Sequence, residues 1–235
     1  MSLPAEPAEG PPAAAAPARV IHRNTVRDTW RWLWSDTAFR LAPFAAASVA
    51  YAALWGGGAA GVGVIAPQLP RDVLWGVGIG VPLAVAASAF RRWVAPYYRL
   101  PTAADQVFQS AFYLALNAPV EEVFWRGMLQ TLAVRGAGLL VGAGGVAGLI
   151  GWALTTAVFG AYHRLGNWNW RSIAGVTAAG GVFGLAYLLQ PAPRDIWLPT
   201  IIHGLATAGF LSWGDVALHW WSERKRRAAE RGSAV

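Results

Sequence analysis

Six long apolar stretches dominate the chain, over residues 41–57, 73–90, 107–133, 139–163, 172–190 and 197–221. A helix that crosses a bilayer needs about 20 residues, most of them apolar. The first two stretches approach that length and the other four reach or exceed it. Charged residues make up only 13% of the 235-residue chain, about half the share of a soluble domain. So little polar surface cannot cover a water-soluble globule. The expected fold class is therefore all-α: a polytopic membrane helix bundle of about six transmembrane helices over residues 41–221. Cysteine is absent, which removes disulfides, thiolate metal sites and a cysteine nucleophile.

The net charge of +7 raises nucleic acid as a partner, but its distribution argues against that. With both termini cytoplasmic, fifteen of the nineteen Lys and Arg residues fall on the inner side. Only Arg71, Arg135 and Arg194 fall in outer loops, and Arg126 lies inside a span. This asymmetry follows the positive-inside rule, so the charge reads as topology and the partner as a lipid bilayer. Trp55, Trp75, Trp93, Trp168, Trp170, Trp197, Trp220 and Trp221 fall near span ends, where an amphipathic ring sits at headgroup level.

The flanks differ from the bundle. Residues 1–18 are Ala/Pro-rich and aperiodic, which predicts a disordered tail and not a signal peptide. Residues 19–40 interleave arginines with Trp30, Trp32 and Trp34, as in a helix lying in the interface. Residues 222–235 form a basic cytoplasmic tail. The Arg-rich, Lys-poor, Ala-rich composition points to a GC-rich bacterium, hence to its inner membrane.

Two acidic residues do not belong in a span. Glu121 and Glu122 sit mid-stretch in Asn117-Ala-Pro-Val-Glu-Glu-Val-Phe-Trp-Arg126. A charge at the bilayer centre costs about 2.5–3.5 kcal/mol even on lenient scales, so these groups must face protein or a wet cavity. Glu122 and Arg126 are four apart and can pair on one face. Glu121 is turned away and has no partner within its own helix. An unpaired carboxyl in such a place suits general acid–base work. Pro119 frees the carbonyl of Ala115 and should kink the helix one turn ahead of the pair.

Four histidines are present. His22 and His219 read as interfacial. His163 closes the fourth stretch and His203 lies in the sixth, with Thr207 one turn further on the same face. Glu121, His163, His203 and Thr207 thus form a candidate constellation on three helices. No Gly-x-Ser-x-Gly elbow and no His-Glu-x-x-His zinc motif occurs. A mixed Glu/His/His zinc site stays open, as do a non-catalytic scaffold, a proton-coupled transporter, and an enzyme in which a carboxylate and an imidazole activate water.

These residues resemble the CPBP intramembrane proteases, which include CAAX-prenyl endopeptidases and bacteriocin-processing or immunity proteins. The family pattern is Glu-Glu-x-x-x-Arg, then Phe-x-x-x-His, then His-x-x-x-Asn/Asp, on successive helices. Glu121-Glu122 with Arg126, Phe159 with His163, and His203 match it in order, over a core of about 106–215. The resemblance implies a glutamic-type endopeptidase acting on a peptide or membrane-protein substrate without metal or cofactor. Glu121 and His163 would polarise the attacking water, and His203 with the residue four later would stabilise the oxyanion. Glu122 and Arg126 would hold helix geometry, and Phe159 would pack beneath the site. The sequence departs from the pattern at Thr207, which stands where the family has Asn or Asp. A non-catalytic immunity-type relative is the alternative that this departure favours.

Spacing adds one structural expectation. Glu121 and His163 are 42 residues apart, and a continuous helix from 139 would carry His163 to the inner surface. The glycines of residues 136–148 suit close helix packing through small residues or a loose or re-entrant segment with the helix beginning near 147; the spacing favours the second. Glu121, His163 and His203 should then converge within one water's reach.

Overall fold

In the computed structural model, residues 19–95, 97–166 and 168–232 are described. They form six helices and one small sheet. Helix α1 is Val26–Gly56 and α2 is Leu69–Val94. Helix α3 covers 103–141 without interruption. Helix α4 is Gly145–Gly166, α5 is Trp170–Leu188 and α6 is Trp197–Arg231. Strand β1, Arg19–Asn24, pairs in parallel with β2, Tyr97–Pro101.

Local chemistry explains where the helices start. Thr25 and Asp28 cap α1 reciprocally: each side chain accepts a hydrogen bond from the other's backbone N–H, the capping-box arrangement. Thr102 caps α3 by accepting from Asp105 N–H at 3.3 Å, and Asn169 caps α5 by accepting from Ser172 N–H at 2.9 Å. These caps satisfy backbone donors that helix starts leave free.

Five of the six helices are long and apolar enough to cross a membrane. The sixth, α3, is long enough, but Glu121, Glu122 and Arg126 interrupt its apolar run. Large apolar side chains cover the outside of the bundle, among them Leu139 and Leu140, 90% and 87% exposed. Water would make such a surface aggregate, whereas acyl chains solvate it. The protein is an integral membrane helical bundle.

Three of its spans contain π turns. Thr37–Leu41 and Ala52–Gly56 are π-helical in α1, Tyr113–Asn117 and Val123–Gln130 in α3, and Gly209–Trp213 in α6. Two of them precede a proline. Ala42 N–H reaches back to Thr37 O just before Pro43, and Ala118 N–H to Tyr113 O just before Pro119. Proline offers no N–H and crowds the carbonyl one turn back; a wider turn relieves both. The irregularity expected at Pro119 is this π turn within a continuous helix.

The glycine-rich segment differs from its expectation. Residues 136–141 complete α3, and α4 begins at Gly145. Only 142–144 leave the helix, where Gly142 and Gly144 have φ of 82° and 140°. The segment is a tight helical hairpin turn, not a loose or re-entrant loop. Gly142 and Gly144 allow the positive φ of the turn.

The flanks also resolve differently. Residues 19–40 are a strand followed by the first turns of α1, which runs on into the first span, so they form no separate helix. The helix α6 continues through residues expected to be a basic tail, where Arg226 pairs with Glu223 and Glu230. The tail expected over 1–18 lies outside the described residues. The small sheet was not anticipated; its strands are too short and too polar on one side to stand out beside the helices.

Candidate active site

The site is built where α3 crosses α1, α4, α5 and α6. Glu122, Arg126 and His203 form its inner part. Arg126 donates from one terminal nitrogen to Glu122 Oε1 at 3.0 Å and from the other to Gly180 O at 2.7 Å. Its guanidinium lies over the rings of Phe159, at 4.8 Å, and Phe183, at 5.4 Å. Arg126 and Glu122 are 1% and 0% exposed. Glu122 Oε2 and Arg126 Nε are buried without a hydrogen-bond partner, so the dry pair relies on the contacts of Oε1 and the two terminal nitrogens.

The same Glu122 Oε1 lies 2.6 Å from His203 Nδ1. The His203 ring stacks on Phe183 with centroids 4.5 Å apart. The carboxylate accepts the hydrogen bond of Nδ1–H, so Nε2 of the neutral ring carries a lone pair, and is a donor in the imidazolium. Arg126, Glu122 and Phe183 thus fix both the tautomer and the orientation of His203.

His203 Nε2 faces Glu121 Oε2 at 3.8 Å. That is too long for a direct hydrogen bond and short enough for one oxygen atom to touch both groups. His163 stands on α4, where its Nδ1 contacts Phe159 O at 2.8 Å. Both imidazoles flank the Phe159 ring, at 4.7 Å for His163 and 6.3 Å for His203. The Glu121 carboxylate is within electrostatic reach of both. Phe159 therefore forms the floor between the two histidines. It can lie close to α5 because residue 180 is glycine: a Cβ there would be 2.4 Å from Phe159 Cδ1. Thr207 is one turn beyond His203 on α6 and half-buried.

One expectation about Glu121 is corrected. It is not an unpaired acid. Its Oε1 accepts from Asn117 Nδ2 at 2.9 Å and forms an ion pair with Arg40 of α1. Arg40 is itself held by Asp36, which accepts from Nε at 2.7 Å and from a terminal nitrogen at 2.5 Å. Residue spacing along α3 could reveal Asn117, which is one turn before Glu121. The Asp36–Arg40 spacing of four marks a helical pair. Nothing in the sequence connects that pair with Glu121, 81 positions away.

Among the described residues no group of three or more His, Cys, Asp and Glu side chains is arranged to hold a metal ion. Glu122, the carboxylate closest to an imidazole, already has its Oε1 engaged by Arg126 and His203. A cavity of about 210 Å³ lies at the sheet end of the bundle, lined by Arg91, Arg99, Gln109, Tyr113 and Asp215 among others. None of Glu121, His163 and His203 lines it; Tyr113 is two helical turns before Glu121 on α3.

A buried carboxylate and an imidazole from another span thus face each other inside a membrane bundle, with a second imidazole against the Phe159 ring. Residues 103–209 match the family model described as Type II CAAX prenyl endopeptidase Rce1-like. The match spans a little under half of the chain, and this segment is similar to that family. No curated protein and no solved structure matches the chain. Glu121, Glu122, Arg126, Phe159, His163, His203 and Thr207 all lie within the matched segment, whereas Asp36 and Arg40 lie outside it.

Proposed function

We propose that the protein is a glutamic-type intramembrane endopeptidase that hydrolyses a peptide bond near the membrane surface, using water activated by Glu121 and His163. The observation that carries this reading is the facing of Glu121 Oε2 and His203 Nε2, 3.8 Å apart, both side chains buried. The mechanism needs neither metal nor covalent intermediate. Glu121 takes a proton from water as its oxygen attacks the carbonyl carbon. His163, held through Nδ1, presents Nε2 to the same water. His203, as the imidazolium with Nδ1–H on Glu122, donates from Nε2–H to the developing oxyanion, with Thr207 one turn away as a weaker donor. The proton then passes to the departing amine.

The family name points to a substrate class: a chain ending in a prenylated Cys-aliphatic-aliphatic-X sequence. A quenched fluorescent peptide of that kind tests it in detergent or vesicles. Wild type should cleave in the presence of a chelator, because the donor set described above needs no metal. Glu121→Ala should abolish cleavage, and full activity in that variant ends the proposal. Comparing the masses of membrane-protein fragments between wild type and Glu121→Ala extends the test to other substrates.

One observation favours a second reading. Arg40 neutralises Glu121, and Thr207 is a poor oxyanion donor, as expected of a non-catalytic relative. That reading predicts no cleavage by wild type and a cellular phenotype that survives Glu121→Ala together with His163→Ala. We further place the protein in a bacterial inner membrane with both termini cytoplasmic, on the strength of its arginine distribution.

A further inference from the structure

We propose that Arg40, which lies outside the family-matched segment, is a catalytic residue: its guanidinium pairs with Glu121 at rest and with the oxyanion during hydrolysis. This rests on the endopeptidase reading above. Three features carry it.

First, Arg40 is aimed. Asp36 holds its Nε and one terminal nitrogen, at 2.7 and 2.5 Å. The remaining terminal nitrogen is directed at Glu121 Oε1. A guanidinium held by its fork on one side presents its last donors in a fixed direction. The π turn of Thr37–Leu41 and the following Pro43 shape the backbone that carries Arg40.

Second, Arg40 approaches one oxygen of Glu121 and leaves the other free. Oε1 is occupied by Arg40 and Asn117, and Oε2 faces His203 Nε2. The reacting water belongs on the Oε2 side, and the carbonyl it attacks must lie within a few ångströms of the same carboxylate. The cation is thus next to the place where charge develops.

Third, the site has a deficit that a cation would fill. Thr207 offers a single short hydroxyl one turn from His203. The partners described around His203 are Glu121, Glu122, Phe159 and Phe183, and none of these is a cation that could meet the oxyanion.

The charges balance through the step. Water gives a proton to Glu121 while its oxygen bonds to the carbonyl carbon, and the π electron pair moves to the carbonyl oxygen. Negative charge leaves the carboxylate and appears on the oxyanion a short distance away. Arg40 then exchanges one anion for the other at constant net charge, with no reorganisation of bulk water. When the C–N bond breaks, Glu121 returns the proton to the amine and re-forms its pair with Arg40. Because Glu121 is held less tightly once protonated, the cation is available to the oxyanion only in the transition state, which is where binding accelerates a reaction.

The test uses full-length protein in vesicles and the prenylated peptide. Arg40→Gln should lower kcat by about 10²–10³, the usual loss for one oxyanion donor, with KM within about threefold. Arg40→Lys keeps the charge and should retain at least tenfold more kcat than Arg40→Gln. Wild-type or faster turnover in Arg40→Gln would overturn the proposal, because the cation would then only restrain Glu121. Equal losses in both variants, or a loss confined to KM, would overturn it as well. Should neither variant accumulate as folded protein, Asp36→Asn decides: it keeps Arg40 but releases its fork, and should lower kcat three- to tenfold at unchanged KM. Unchanged kcat there refutes the role. Activity in Glu121→Ala would instead remove the endopeptidase reading itself.

Discussion

At Arg126 the fold depends on a single side chain. It joins Glu122 on its own helix to the backbone of α5, between two phenyl faces, with no access to water. Removing one member of such a pair leaves a buried unpaired charge, at a cost of about 3–5 kcal/mol. Arg126→Ala should therefore lower the thermal midpoint in detergent markedly. Arg126→Lys should recover little of it, because an ammonium cannot reach Glu122 and Gly180 O together while stacking on aromatics. A variant with wild-type stability would show that the pair contributes nothing to folding. Glu122→Gln is predicted to act differently. An amide can keep the contact to Arg126, but it holds His203 more weakly, so turnover should fall at least tenfold while the protein remains folded.

At the scale of elements, the site depends on how closely helices approach. Phe159 separates the two histidines and rests against residue 180. A Cβ at that position would be 2.4 Å from the ring, so Gly180→Ala must push α5 or Phe159 away. Overpacking of this kind costs about 1–3 kcal/mol. It should also lower kcat, because Phe159 O holds His163 and its ring underlies His203. Activity equal to wild type would mean that the floor tolerates movement. At the α3–α4 turn, Gly142→Ala places a side chain at φ 82°, which costs about 1–3 kcal/mol. That variant should lose stability yet keep its catalytic rate, since the turn is remote from Glu121.

For the whole molecule the question is orientation. β1 and β2 can pair only on one side of the membrane, because an even number of spans, α1 and α2, separates them. The basic residues concentrate at that same end. Absence of cysteine makes the chain suited to single-cysteine labelling. With cytoplasmic termini, Leu165→Cys should be shielded from a membrane-impermeant maleimide added to intact cells, and Ala60→Cys should react. The opposite pattern inverts the topology.

The positions of five spans, the placement of α3 and the Glu122–Arg126 pair were legible along the sequence. They depend on apolar length and on the spacing of residues within one helix, which are local properties. The extent of α3 over residues 136–141 is not legible in the sequence, because its glycines have low helix propensity and the helix nonetheless continues to Val141. The strand pair was missed for a similar reason: its two segments are 78 positions apart and neither has a period strong enough to notice.

What the sequence determined by itself is the solvent of this protein and the identity of its reactive groups. Transfer free energy is additive along a chain, so long apolar stretches can only be spans, and a carboxylate within one must be buried against protein. Only the tertiary structure decided who neutralises that carboxylate. Arg40 meets Glu121 because α1 crosses α3 at one height, and the relative height of two helices is set by packing between them.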